Sequence, residues 1–170
     1  MQKIKLNTII YSEGKYSIYL DADTHYFFSN KRKAQDFLRL VSEHIDKAHL
    51  FITEALTTLE SFYNLYNLAD DDYKFKFGVR NGIDFINNRI VWISERRRGE
   101  NSQALVIQAI HGCYNELIQT FLLIQDKAAE RNDHLLKKRC ALRVEVIEMY
   151  AENLFNIKSE SINEFKLKTA

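Results

Sequence analysis

The sequence contains no proline at all among its 170 residues. Proline interrupts the hydrogen bonds of helix interiors, so its absence suits a chain built mostly of long helices. Cysteine is also scarce, because only Cys113 and Cys140 are present. Two cysteines do not make a disulfide framework or a cysteine-rich zinc motif, and they favour a reduced, cytoplasmic protein.

An excess of charge of one sign is missing too. Lysine and arginine together number 24 and aspartate and glutamate 23, which leaves a formal net charge of +1. This balance gives no overall attraction to nucleic acid or to an acidic membrane, although a local patch can still attract either. The most apolar segments, Ala104 to Ile110 and Leu117 to Ile124, are too short to span a membrane. We therefore expect no membrane partner. The first residues lack the apolar core and the small-residue cleavage site of a secretory signal, which also favours a cytoplasmic protein.

The hydrophobic content of 46% is enough for one domain, 1–170, with a sizeable core. Its first part, 1–28, is predicted to be a three-stranded antiparallel β-meander that docks on helices. In the first strand, Ile4, Leu6, Thr8 and Ile10 alternate with polar residues. These four side chains are predicted to face the core, and the polar ones to face water. A turn with glycine follows at 12–15, and the alternation resumes at Tyr16, Ile18 and Leu20. His25 to Phe28 is the third predicted strand.

A long helix is predicted next, from an N-cap at Ser29 or Asn30 to about Leu68. Steps of three and four residues give an unbroken apolar seam, which must lie against other helices. The seam consists of Ala34, Leu38, Val41, Ile45, Ala48, Ile52, Ala55, Leu59, Phe62 and Tyr66.

The segment 73–82 fits two structures. Alternating aromatic and basic residues followed by Asn81-Gly82 fit a hairpin, whereas Phe75, Val79, Gly82, Ile86, Ile90 and Ile93 form a helical stripe. We favour the helix, because no second strand of matching quality follows. Aspartates 70–72 suit the N-terminus of such a helix, and the helix is predicted to end near Arg98.

Two further helices are predicted, at about 102–131 and about 133–157. The first is apolar around much of its circumference, so it is either central in the fold or shared with a second subunit. The fourth carries its seam on Leu136, Cys140, Ile147, Tyr150 and Leu154, interrupted by Arg143. Residues 158–170 are predicted to be a flexible tail or a short added strand. The predicted fold is therefore mainly α (α+β): a four-helix antiparallel bundle over 29–157 with a small sheet at its N-terminus.

Three basic triplets are the first candidates for a binding site: Lys31, Arg32 and Lys33; Arg96, Arg97 and Arg98; Lys137, Lys138 and Arg139. Cations suit the C-terminus of a helix, where the second triplet lies, but the other two triplets lie near helix starts. A phosphate bound there would reverse the unfavourable placement. If two triplets converge, they predict a nucleic-acid or nucleotide-phosphate site. Solvated helix faces are the competing interpretation, which we favour.

The aromatic residues allow two further interpretations. Those of the sheet either stack on bases or, as we favour, pack on the helices. A second set of large apolar side chains lies outside the main seams and predicts either contact with the sheet or an oligomer interface. This set is Phe85, Trp92, Ile107, Tyr114 and Phe121.

The spacing of potential metal ligands and nucleophiles gives little support for a metal site or a catalytic site. Asp46 and His49 have a metal-ligand spacing, but no second pair completes a site. His111 and Cys113 are two residues apart on a helix and point away from each other, so they cannot form a nucleophile pair. We therefore expect no metal, no cofactor and no catalytic residue.

The leading hypothesis is a non-enzymatic helical interaction protein that self-associates and acts as adaptor, regulator or inhibitor of another macromolecule. The alternative is a nucleic-acid or nucleotide-phosphate binding protein that uses the basic triplets, and an enzyme is a third hypothesis.

Overall fold

The computed structural model describes residues 5–22, 25–65, 72–97 and 103–169, and of 153–169 it describes the backbone alone. Three strands precede four helices, which confirms the predicted fold class. The elements are β1 (Ile9–Ser12), β2 (Lys15–Tyr19), β3 (His25–Phe28), α1 (Lys31–Leu65), α2 (Tyr73–Arg96), α3 (Gln103–Glu130) and α4 (His134–Thr169).

The sheet is an antiparallel meander in the order β1-β2-β3. Glu13 and Gly14 have φ of 53° and 75°, so the first hairpin turns on two left-handed residues, as type I′ turns require. One face of the sheet is buried through Ile18, Tyr26 and Phe28, and the rings of Tyr26 and Phe28 lie against Phe37 of α1. The sheet is thus anchored on the first turns of the bundle.

The predicted phase of the first strand is wrong by one residue. Ile9 pairs with Ile18 and contacts the core, whereas the sequence pattern put Ile10 on that face. Asn7 causes the change: its φ of 58° bends the chain, and its N–H donates to the carbonyl of Tyr19. Because side chains alternate in a strand, a shift of one residue exchanges its two faces.

The helices form an antiparallel bundle with α3 at its centre. α3 contacts α1, α2 and α4, whereas α2 and α4 do not contact each other within the described residues. Aromatic contacts of Phe51 with Tyr114 and of Phe62 with Phe121 show that α1 and α3 run in the same direction. The apolar circumference of α3 therefore serves three neighbours of the same chain.

The seam of α1 is confirmed over most of its length, but at two positions the buried residue is a neighbour of the predicted one. Phe37 and Tyr63 are buried where the pattern named Leu38 and Phe62, which are half-buried. Tyr66 and the predicted end at Leu68 lie outside the described residues. Asn30 is the N-cap, since its side-chain oxygen accepts a hydrogen bond from the N–H of Arg32.

The ambiguous segment 73–82 is helical, and the predicted stripe of α2 is confirmed. Five of its six members are buried, and Ile90 is half-buried. Asp72 caps the helix, and its carboxylate accepts a hydrogen bond from the N–H of Phe75 at 3.2 Å. Gly82 allows close packing on α3, because a methyl group there would collide with the side chain of Thr120.

The predicted end of α4 near Ile157 is wrong. The helix continues to Thr169, so most of 158–170 is helical rather than a tail or strand. The physical reason is that residues 134–169 contain neither proline nor glycine, the two residues that stop helices most strongly. The Ser-, Glu- and Lys-rich composition that suggested a tail is compatible with a helix. Leu154, the last predicted seam residue, lies in the part described by its backbone alone.

Candidate interaction surfaces

Two of the basic triplets occupy exposed helix starts, as predicted. Lys31, Arg32 and Lys33 form the first turn of α1, and all three are exposed. Lys137, Lys138 and Arg139 lie in the first two turns of α4 and are exposed as well. A shared phosphate site would need the two triplets at one end of the bundle.

The bundle holds these two triplets far apart instead. The rings of Phe51 and Tyr150 stack at 3.7 Å, which sets the level of α1 against the antiparallel α4. From this contact, Lys31 lies about 30 Å along α1 and Lys137 about 20 Å along α4, in opposite directions, at 1.5 Å per residue. A separation of roughly 50 Å excludes a single phosphate site built from both triplets.

The two described residues of the second triplet, Arg96 and Arg97, make contacts within the fold. A nitrogen of the Arg97 guanidinium lies 3.2 Å from a carboxylate oxygen of Asp46 on α1. The guanidinium of Arg96 lies 4.6 Å from the centre of the Trp92 ring and pairs with Glu95 at 3.3 Å. Arg98 lies outside the described residues. Asp46, which had a metal-ligand spacing to His49, therefore contributes to the contact between α1 and α2.

The five residues of the predicted oligomer interface do not form one surface. Tyr114 and Phe121 are 1% and 0% exposed, so these two side chains belong to the core of the chain itself and cannot meet a second subunit. Ile107 is half-buried against the same core. The periodicity of α3 showed a second apolar face, but only the packing reveals that α1 covers it.

The two other predicted residues, Phe85 and Trp92, line a shallow groove of about 270 Å³ between α2 and α3. Leu105 and Gly112 form the opposite wall. A methyl group at Gly112 would meet nothing within 4 Å among the described residues, so this wall of the groove is open at Gly112. The guanidinium of Arg89 lies 5.3 Å from the centre of the Phe85 ring and covers part of this apolar surface.

A more exposed aromatic surface lies at the start of α2 and was missed by the sequence analysis. Tyr73 is 84% exposed and Phe77 69% exposed, and they lie one helical turn apart. Three cations complete the lining of this open pocket of about 470 Å³: Lys74, Lys76 and Arg80. We call these five residues the α2 basic–aromatic surface.

The signal for this surface was present in the sequence. Alternation of aromatic and basic residues over 73–80 fitted a strand of a hairpin, whereas the predicted helical stripe contained Phe75 and Val79 and left out Tyr73 and Phe77. In a helix, however, residues two apart point in very different directions, so Tyr73 and Phe77 lie away from the face that Phe75 occupies. The helical phase therefore predicts two aromatic groups on α2, one buried and one in solvent.

Contacts between α2 and α3 hold this surface in place. The ammonium of Lys127 on α3 lies 3.0 Å from a carboxylate oxygen of Asp72 and 5.6 Å from the centre of the Phe75 ring. The hydrogen bond from Lys127, together with that from the N–H of Phe75, lowers the pKa of Asp72 below its ordinary value. Asp72 is therefore ionised at neutral pH, and its carboxylate interacts with both the first turn of α2 and the ammonium of Lys127.

The sheet aromatics lie on both faces of the sheet. Tyr26 and Phe28 pack on α1, as favoured from the sequence. On the other face, the ring of His25 stacks on Tyr19 at 5.0 Å and meets the edge of Phe27 at 4.8 Å. The ammonium of Lys15 lies 5.7 Å from the centre of the Phe27 ring.

Neither thiol is placed for nucleophilic chemistry. Cys113 and Cys140 are buried in the core, and burial raises the pKa of each to about 12. Since the thiolate is the reactive form, both groups are held in the inert thiol form at neutral pH. Within the ranges that the structure describes, no three His, Cys, Asp or Glu side chains are grouped so that they could hold a metal ion.

A comparison with protein-family models, with curated proteins and with solved structures finds no match. Among the helices described here, none combines the length and the apolar character that crossing a membrane requires.

Proposed function

We propose that this chain is a non-enzymatic helical interaction protein that binds an acidic segment of a partner protein through the α2 basic–aromatic surface. The observation that carries the proposal is the exposure of Tyr73 and Phe77 on a helix whose opposite face is buried. An adaptor, regulator or inhibitor acts by such binding, without a chemical step of its own.

The composition of the surface favours a protein partner. Aromatic and arginine side chains dominate the residues that contribute most to binding at protein interfaces, and Tyr73, Phe77 and Arg80 supply both kinds. The three cations around the rings require negative charge in the partner. A short segment with carboxylates beside one or two apolar side chains satisfies the rings and the cations together.

The surface is also preorganised, which reduces the entropy lost on binding. Asp72 fixes the first turn of α2, and Lys127 ties that turn to α3. Further along α2, Gly82 packs directly on Thr120, and a methyl group at Gly78 would lie only 3.1 Å from Leu123. The backbone that presents the five side chains is thus held on its inner face by close contacts.

The direct test is the fluorescence anisotropy of a labelled peptide in which glutamates alternate with phenylalanine. We expect Tyr73→Ala and Phe77→Ala each to weaken binding about fivefold or more, as truncation of a dominant contact does. Tyr11→Ala is the matched control, because Tyr11 is exposed but lies on the sheet. Equal binding by the wild type and both α2 variants would reject the proposed surface.

A second function is favoured by one observation, the alternation of aromatic side chains and cations on this surface. Single-stranded nucleic acid is bound by such sets, with bases on the rings and phosphates at the cations. A labelled oligothymidylate in the same assay separates the two functions. Binding of the oligonucleotide alone, weakening steeply with salt, would replace the protein partner by nucleic acid. Binding of neither probe would reject both functions for this surface.

A further inference from the structure

α4 carries a second apolar face, on a different side from the seam that contacts α3. The predicted seam residues Leu136, Cys140 and Ile147 are buried, whereas Tyr150, also predicted for the seam, is 40% exposed and stacks on Phe51 of α1. Besides Tyr150, four large apolar side chains of the same helix are exposed and follow one another at steps of seven, four and three residues. They are Leu135, Leu142, Val146 and Met149, which we call the α4 outer stripe.

This stripe is continuous enough to accept another helix. Its residues lie along one side of α4, as in the seam of a two-helix coiled coil. From Leu135 to Met149 it rises about 21 Å, close to four helical turns. Leu142 and Met149 are 53% and 60% exposed, so no part of the described chain covers them fully.

The charges beside the stripe are divided between its two halves. Among the residues that flank the stripe, basic ones come first and acidic ones last: Lys138, Arg139 and Arg143, then Glu145 and Glu152. A second α4 helix in parallel would place like charges beside like charges. A second α4 helix in the antiparallel direction places the basic half of each copy beside the acidic half of the other.

We propose that two copies of this chain associate through the α4 outer stripe, with antiparallel α4 helices and Leu142 on the two-fold axis. Leu135 then lies opposite Met149 of the partner subunit, and Leu142 meets its own copy. Lys138 lies opposite Val146 of the partner subunit, where its methylene stem covers an apolar side chain. Lys138 and Glu145 lie on the same side of the stripe, so the ammonium of Lys138 also approaches Glu145 of the partner subunit. The arrangement is isologous, so each contact occurs twice except that of Leu142 with its own copy on the axis.

The size of the contact sets its expected strength. Four turns of a helix pair bury less than the roughly 800 Å² per partner of a standard stable interface. We therefore expect a weak dimer in exchange with the monomer, with a dissociation constant in the micromolar range or above. The α2 basic–aromatic surface lies on a helix that does not contact α4 within the described residues, so the dimer and the proposed function are tested separately.

Sedimentation velocity over a wide range of protein concentration tests the association. We expect the wild type to shift from monomer to dimer and Leu142→Glu to remain a monomer. Leu50→Glu is the matched control: Leu50 is equally exposed but lies on α1, and this variant should dimerise as the wild type does. A wild type that stays monomeric at every concentration, or a Leu142→Glu variant that still dimerises, would overturn the proposal.

Disulfide trapping tests the direction of the helices and does not depend on how well a charged variant folds. Leu142→Cys should form a disulfide dimer under mild oxidation, because the two thiols meet on the axis. Leu135→Cys alone should not, whereas a mixture of Leu135→Cys with Met149→Cys should cross-link. The wild type is the control, since Cys113 and Cys140 are buried. Cross-linking of Leu135→Cys with itself would instead indicate parallel helices and overturn the proposed arrangement.

Discussion

The carboxylate of Asp72 joins two helices, because one of its oxygens accepts from the N–H of Phe75 in α2 and the other from Lys127 of α3. These contacts predict an order of stability. Asp72→Asn keeps a capping oxygen but loses the charge, whereas Asp72→Ala loses both. We expect the midpoint of urea unfolding to fall from the wild type to Asp72→Asn and again to Asp72→Ala. Equal midpoints for the two variants would show that capping by this side chain contributes nothing.

The same carboxylate predicts a pH dependence. Its pKa is lowered below 3.8 in the folded chain, chiefly by the hydrogen bond from Lys127. The folded state therefore releases the proton more readily than the unfolded state, so this group stabilises the fold above the unfolded pKa. That contribution is lost as the pH falls through the folded value. Consequently the stability difference between the wild type and Asp72→Asn should be present at pH 6 and shrink below about pH 4. A difference independent of pH would contradict this assignment.

Two helix glycines predict opposite effects of the same substitution. In Gly82→Ala the new methyl group collides with Thr120, so we expect a loss of about 1–3 kcal/mol in the free energy of unfolding. In Gly112→Ala the methyl group meets no atom within 4 Å, and we expect a gain of about 0.5–1 kcal/mol from helix propensity.

Chemical denaturation of Gly82→Ala, Gly112→Ala and the double variant Gly82→Ala/Thr120→Ala distinguishes a steric cause from a backbone cause. Gly82→Ala should lower the free energy of unfolding by less in the Thr120→Ala background than in the wild type, because the new methyl group then has no Thr120 side chain to collide with. A double variant with additive losses would show that the collision is not the reason.

The burial of Phe121 predicts that truncating its side chain strongly lowers the stability of the fold. Its ring is fully buried and meets the edge of Phe62 at 5.9 Å between ring centres. Phe121→Ala should therefore lower the free energy of unfolding by about 3–5 kcal/mol. Phe85→Ala, at the rim of the groove between α2 and α3, should cost far less. Urea unfolding of both variants provides the comparison, and similar losses would indicate that Phe121 is not a core residue.

The buried thiols predict slow labelling. Because the pKa of Cys113 and of Cys140 is raised to about 12, almost no thiolate is present at pH 8 in the native chain. An aromatic disulfide reagent should label both thiols rapidly in denaturant and neither at a comparable rate without it. Rapid native labelling of one thiol, located by mass spectrometry of the digested protein, would show that its surroundings open readily.

In α2, the spacing of apolar residues alone predicts the buried stripe from Phe75 to Ile93, because a helix of fixed pitch presents every third or fourth residue to one side. The same pitch places Tyr73 and Phe77 off the buried face of α2. Their alternation with lysines fitted a strand instead, so their exposure on a helix was not predicted. The strand β1 shows the opposite case, since one residue with positive φ, Asn7, changed the faces of the residues that follow.

Most local features of this protein follow from the spacing of its residues: long helices without proline, their apolar seams, and a short sheet before them. Which surfaces remain exposed for binding depends on how the helices pack. It placed the triplets that begin with Lys31 and Lys137 at distant positions, and it buried Tyr114 and Phe121 under α1. The physical reason is that periodicity specifies the direction of a side chain from its own helix axis. Which helix lies in that direction depends on contacts between residues far apart in the chain.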